Sequence, residues 1–173
     1  MAVSTIFPPL PPSPCAQGRS RRKFRVKISR LALLAFAFAL LVAAPARAEL
    51  NWLTDFPKAQ QEAKASHKLL LINFTGSDWC PWCLRLHRDV FSKPEFESYA
   101  RDHLVLVMAD FPRAKPLSKE VRQQNQQLAQ RFGIDGFPTI VILNGEGKQV
   151  GALGYVPGGV TAFIDELKRM PQS

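Results

Sequence analysis

The chain has 173 residues, a formal net charge of +9, 46% hydrophobic residues and three cysteines. Its charge is unevenly placed: residues 1–48 hold 8 of the 23 Lys and Arg and none of the 14 Asp and Glu, so residues 49–173 carry 15 basic and 14 acidic side chains, a net charge of +1. That balance excludes the single-sign field that nucleic-acid binding needs, and the 125 residues after position 48 suit one domain with one core.

The chain opens with a proline-rich stretch over residues 8–14 that reads as disorder. Arg19, Arg21, Arg22, Lys23, Arg25, Lys27 and Arg30 then form a positive region, residues 31–44 an apolar core, and Ala46-Arg47-Ala48 a small-x-small cleavage site. Residues 1–48 are therefore expected to be a cleavable export signal peptide, which makes the mature protein periplasmic or secreted. The apolar core has 14 residues, short of the roughly 20 that span a bilayer, so no stable membrane anchor is expected after cleavage. Ser20-Arg21-Arg22-Lys23-Phe24 is similar to a twin-arginine start, but Arg25 stands where that pattern wants an apolar residue, and the general secretory route is favoured.

Residues 55–66 carry Phe56, Ala59 and Ala63 near helical spacing behind Thr54 or Asp55 as a cap, which predicts a first helix. Residues 69–74, Leu-Leu-Leu-Ile-Asn-Phe, are a short apolar run of the kind found in a central strand. A helix is predicted over 81–90, with Pro81 in its first turn, where the missing donor costs nothing. A short helix over 94–99 and a strand over 104–109 follow. Residues 117–132 place Val121, Asn125, Leu128 and Phe132 on one helical face, and Gly133 ends that helix. Strands at 139–143 and 149–153 flank Asn144-Gly145-Glu146-Gly147, a hairpin signal. A last helix carries Val160, Phe163, Ile164 and Leu167 on one face.

Cys80-Pro81-Trp82-Cys83 falls at the turn between the first strand and the helix that follows it. With Cys15 in the leader, Cys80 and Cys83 are the one pair left. A disulfide across so short a loop removes about 2 kcal/mol of unfolded-chain entropy, against about 4.7 for a hundred-residue loop. It is a poor staple and better suited to opening and closing, since the second thiol is always within reach of a mixed disulfide formed by the first. Export would place it where disulfides persist.

This pair, followed about 55 residues later by Gly136-Phe137-Pro138-Thr139 and an antiparallel hairpin, resembles the thioredoxin superfamily. Residues 73–80, Asn-Phe-Thr-Gly-Ser-Asp-Trp-Cys, and the segment from Val90 to Phe96 resemble more closely the exported bacterial thioredoxin-like proteins, and the likeness spans residues 56–169. The resemblance implies an α/β, thioredoxin-like fold, a mixed central sheet flanked by helices, with a cis peptide bond before Pro138 facing the dithiol. It also implies Cys80 as attacking nucleophile, Cys83 as resolving thiol, Trp79 as an apolar wall beside them and Pro138 in the substrate groove. Phe137 and Tyr155 are candidates for the same groove or for hairpin packing, and Trp82, on the exposed turn, suits contact with a partner. Protein thiols and disulfides and an upstream redox protein are the implied partners; no organic cofactor is.

At a helix N-terminus the Cys80 thiol is expected to ionise readily. Its thiolate would attack a substrate disulfide and Cys83 would then displace the reduced substrate, with Cys80 open to solvent and Cys83 behind it. Pro81-Trp82 puts no imidazole between the cysteines, which favours a reductant of intermediate potential. Asn73 stands where many thioredoxins carry a buried acid, so Asp78, a water or the substrate would have to take the resolving thiol's proton.

Two other readings use the same residues. Cys80, Cys83 and His87 recur at i, i+3 and i+7 and offer two thiolates and an imidazole to a metal, copper(I) above all, as in a copper-binding chaperone; the favoured reading assigns no metal. A redox-inactive interaction domain is the other. His67 and His103 read as loop or surface residues, and Arg85 and Arg88 as the wet face of their helix. Haem attachment is excluded because Leu84 stands where Cys-x-x-Cys-His needs its histidine.

Overall fold

The computed structural model describes residues 50–171; the predicted leader, its cleavage site and Cys15 lie outside the described residues. Five strands form one sheet in the order β1-β3-β2-β4-β5: β1 Trp52–Leu53, β2 Leu69–Thr75, β3 Leu104–Asp110, β4 Thr139–Leu143 and β5 Gln149–Leu153. β1 and β2 run parallel to β3, whereas β4 is antiparallel to both β2 and β5. This is the mixed sheet of a thioredoxin-like fold.

The central strand β2 is buried along its whole length, as a strand covered on both faces must be. Its alternate residues feed two cores. Leu69 and Leu71 pack with Leu86, Phe91, Phe96, Phe163 and Leu167 on one face. Leu70, Ile72 and Phe74 pack with Phe56, Ala59, Ala63 and Leu128 on the other. The helices divide accordingly: α1 Phe56–Ser66 and α4 Lys119–Arg131 cover the second face, while α2 Pro81–Leu86, α3 Pro94–His103 and α5 Gly159–Lys168 cover the first.

Local chemistry fixes most boundaries. Asp55 caps α1 by accepting the Lys58 N–H, and His67 ends it at φ 55° in the left-handed region. Ser118 caps α4 by accepting the Val121 N–H, so that helix begins two residues later than predicted. α3 runs four residues past the predicted 99, to His103. The predicted 81–90 helix is not one α-helix: after Leu86 the chain passes into a π turn, His87–Phe91, closed by the Ser92 N–H on the His87 carbonyl at 2.9 Å. β1 was not predicted, and its two residues pair only with Leu106 and Val107. No helix among the described residues is long and apolar enough to cross a membrane.

Candidate active site

At the C-terminal end of β2 the chain turns on Gly76, whose carbonyl accepts the N–H groups of Trp79 (3.3 Å) and Cys80 (3.0 Å). Cys80 is the N-cap of α2 and Pro81 opens the helix. Cys80 and Cys83 form a disulfide with their Cα atoms 5.2 Å apart, and the Cys83 N–H donates to Cys80 Sγ at 3.2 Å. A sulfur at this position meets the unpaired donors and positive dipole end of a helix, which favour a thiolate.

The expected exposure of Cys80 does not hold in this oxidised form. Cys80 is 4% exposed and Cys83 5%. The bond to Cys83 and the helix N–H hold the Cys80 sulfur against the first turn of α2, where it is covered as fully as its partner.

Phe74 pairs with Thr139 across β2 and β4, so Pro138 enters the sheet at the end from which the redox turn leaves. The Phe137–Pro138 peptide bond is cis. Phe137 bridges two aromatic neighbours, Trp79 at 5.9 Å and Phe111 at 5.1 Å between ring centroids. Trp79 is held on three sides: its Nε1–H donates to the Phe111 carbonyl at 2.8 Å, the Arg113 guanidinium lies 3.9 Å above its ring, and Phe137 meets its edge.

The loop over residues 111–117 is tied to the redox turn by two carboxylates. Asp78 accepts the N–H groups of Arg113 (3.0 Å) and Ala114 (2.7 Å), and these bonds hold its carboxyl below the usual carboxylate range. Asp110 accepts the Ser77 N–H at 2.9 Å and the Ser77 hydroxyl at 2.6 Å, while its own carbonyl takes the buried Asn125 amide at 2.9 Å. Asp78, a sequence candidate for the resolving thiol's proton, is thus occupied in positioning a loop. Sequence reasoning missed Phe111, Arg113 and the Ser77–Asp110 pair, which no local motif marks.

Among the described residues, Trp82 and Leu84 are the exposed large hydrophobics, at 53% and 52%. The Trp82 ring lies 5.3 Å from that of Tyr155, and the Arg85 guanidinium sits over both, at 5.4 and 5.1 Å. Asp89 gathers Arg88, Tyr155 and Arg85 around one carboxylate. The Arg88 bond leads in holding that carboxyl below its ordinary value, with the Tyr155 and Arg85 bonds adding to it against partial burial. Tyr155 therefore joins Trp82 rather than Phe137, and Arg85, read as wet face, stacks on aromatic rings.

Behind the disulfide lies a cleft of about 270 Å³ shared by Cys83, His87, Asn73, Ser77 and Met108. Among the described residues, no group of three His, Cys, Asp or Glu is placed to hold a metal ion, so Cys80, Cys83 and His87 do not form a three-ligand set.

A family model for the thioredoxin-like domain matches residues 56–169. The chain belongs to the thioredoxin-like family. This thioredoxin-like chain is 37% identical over 123 residues to the disulfide bond reductase DsbH of Chlamydia pneumoniae, covering 71% of this chain and 74% of that protein. It is 29% identical to the thioredoxin-related protein DsbJ of the same organism, over 75% of this chain and 38% of DsbJ. Among solved structures, a DsbH oxidoreductase superposes with a TM-score of 0.68 at 36% identity, covering 72% of this chain and 87% of that one. A thioredoxin from Thermus thermophilus, at TM-score 0.53 and 24% identity over 70% of this chain and 86% of its own, shares the fold.

Proposed function

We propose that this thiol-disulfide oxidoreductase is an exported reductant of protein disulfides, made with a leader over residues 1–48 and working outside the cytoplasm as the domain 49–173, free of a membrane anchor. Cys80 attacks the substrate disulfide, Cys83 resolves the mixed disulfide, and Trp79, Trp82, Phe137 and Pro138 form the surface that receives the substrate chain. An upstream redox protein returns the pair to the dithiol.

The observation that carries this reading is the Cys83 N–H aimed at Cys80 Sγ from the first turn of α2. When the bond opens, the same donor and helix end stabilise Cys80 as the thiolate, which makes it both nucleophile and good leaving group. The similarity to a protein named a disulfide bond reductase supports the direction, as does the absence of a histidine between the cysteines.

Insulin reduction and equilibration with a glutathione buffer test it together. The mature domain is expected to precipitate insulin in the presence of a thiol reductant and to have a potential between about −270 mV, as in thioredoxin, and about −180 mV, as in protein disulfide isomerase. A potential near about −120 mV, that of a strong oxidant, would overturn the reductive direction. Cys83→Ser must trap a mixed disulfide through Cys80, and Cys80→Ser must trap none.

A further inference from the structure

Between the loop over residues 111–117 and α4 lies a cleft of about 470 Å³. Arg113 and Lys115 line it from the loop and Arg122 from α4, and all three are exposed. Asp110 lines it as well, but its two oxygens already accept the Ser77 N–H at 2.9 Å and the Ser77 hydroxyl at 2.6 Å. Glu120, in the first turn of α4, is not among the lining residues; its own N–H and the Ser118 side chain hold its carboxyl below the ordinary 4.5. The ion pairs found among the described residues use Arg85, Arg88, Lys168 and Arg169, not these three cations. Arg122 approaches only the neutral Leu117 carbonyl, at 3.5 Å, beyond the usual hydrogen-bond range. In a domain whose charges nearly cancel, this cleft gathers an excess of positive charge.

The cleft is joined to the redox turn. The Arg113 guanidinium lies 3.9 Å over the Trp79 ring, and Trp79 directly precedes Cys80. Asp78 pins the N–H groups of Arg113 and Ala114, while Pro112 and Pro116 fix the backbone on either side of Lys115. A cationic loop ordered in advance loses little entropy on taking a ligand.

We propose that this cleft is a specificity site that takes the carboxylates of an acidic segment of the substrate protein, a few residues from the cysteine under attack. An extended chain advances about 3.3 Å per residue, so a few residues carry it from Cys80 past Trp79 to Arg113. The volume falls in the range of about 300–1,000 Å³ that accepts an organic ligand, far roomier than one inorganic anion needs. Cations supplied by both a loop and a helix match a segment with more than one Asp or Glu. Complementarity of this kind governs encounter and the choice between partners more than raw affinity.

The inference builds on the reductive reading above, and the test keeps the two apart. Three peptides, each closed by one disulfide and alike except for Glu, Gln or Lys residues flanking both cysteines, are reduced by dithiothreitol with and without the protein. Dividing the catalysed rate by the uncatalysed one removes the effect of the flanking charges on the disulfide itself. At low ionic strength the Glu peptide is expected to have a kcat/KM about tenfold above that of the Gln peptide, carried by KM, with the Lys peptide below both. The differences should shrink as salt rises toward about 1 M, where the screening length is about 3 Å. Lys115→Gln with Arg122→Gln should bring the Glu peptide down to the Gln peptide, whose own rate is unchanged. Lys115→Glu with Arg122→Glu should make the Lys peptide the preferred one. Equal kcat/KM for the three peptides on the wild type overturns the site without need of a variant, as does a Glu preference that survives Lys115→Gln with Arg122→Gln. Fluorescence anisotropy of the labelled peptides, with serine in place of cysteine, reads the cleft apart from the chemistry. Tighter binding of the Glu peptide with none of the three reduced would keep the site and overturn the reductive reading; equal binding of all three overturns the site.

Discussion

The Trp79 indole occupies the space that a side chain at Gly76 would need: a Cβ placed there would meet Trp79 Cε2 at 2.5 Å and Nε1 at 2.6 Å. Gly76 also supplies the carbonyl that receives the Trp79 and Cys80 amides. One glycine thus fixes both the turn into the redox helix and the seat of the neighbouring ring. Gly76→Ala is expected to destabilise the protein by roughly 1–3 kcal/mol, the usual cost of overpacking, and to slow insulin reduction by displacing Trp79 from Phe111 and Arg113. Denaturant unfolding and Trp fluorescence measure the two effects.

Asp78 makes loop docking sensitive to acid. Its carboxyl ionises below the ordinary 3.8 in the folded protein because the Arg113 and Ala114 N–H groups favour the charged form. A lowered folded value means that the stabilisation is fully present above 3.8 and disappears as pH falls through the lower folded value. Acrylamide quenching of Trp fluorescence should therefore increase in strong acid before global unfolding. Asp78→Asn should quench more readily at neutral pH and show no such acid step.

Trp82 is half exposed, packed at a tilt against Tyr155 and capped by Arg85. Its removal leaves no cavity in either core. Trp82→Ala is expected to unfold at nearly the wild-type denaturant midpoint while reducing insulin about tenfold more slowly, an aromatic contact of about 1.4 kcal/mol. Reduction of a small disulfide should suffer less, since it touches less of the surface.

Asn125 is 1% exposed and its amide donates to the Asp110 carbonyl. Asn125→Ala leaves that carbonyl without its donor and should cost about 1–3 kcal/mol. Because Asp110 holds Ser77, the variant should also slow disulfide exchange; unfolding curves and exchange rates read the two effects separately.

The sequence displays those parts of the molecule whose causes are local. A buried strand ending in a glycine turn, a proline after the first cysteine and Asn-Gly between two apolar runs each act within a few residues, and β2, the start of α2 and the hairpin lie where those signals put them. The π turn was hidden because Leu86 and Val90 keep α-helical spacing while the extra residue is accommodated by Ser92 reaching back to His87. β1 was hidden because two residues carry no periodicity. Asp78 illustrates a third kind of concealment. With Asn73 unable to take a proton, Asp78 stood as one candidate acceptor, but its partners lie 35 and 36 residues away on another loop. The near-complete cover of Cys80 likewise arises from a bond to Cys83 and not from the polarity of its neighbours in the chain.

The hairpin ladder carries its irregularity at the end remote from the cysteines, where Ile142 pairs with Gly151 but Leu143 with Gln149, whereas the pairing of β4 with β2 is regular from Thr139 to Leu143. A one-residue slip moves a strand by about 3.3 Å and turns every side chain to the opposite face. Length changes at the Asn144–Gly147 tip are therefore absorbed before they reach Pro138. The hairpin works as a strain relief: one end can be redesigned, extended or fused to another protein while the other keeps its alignment with the redox turn.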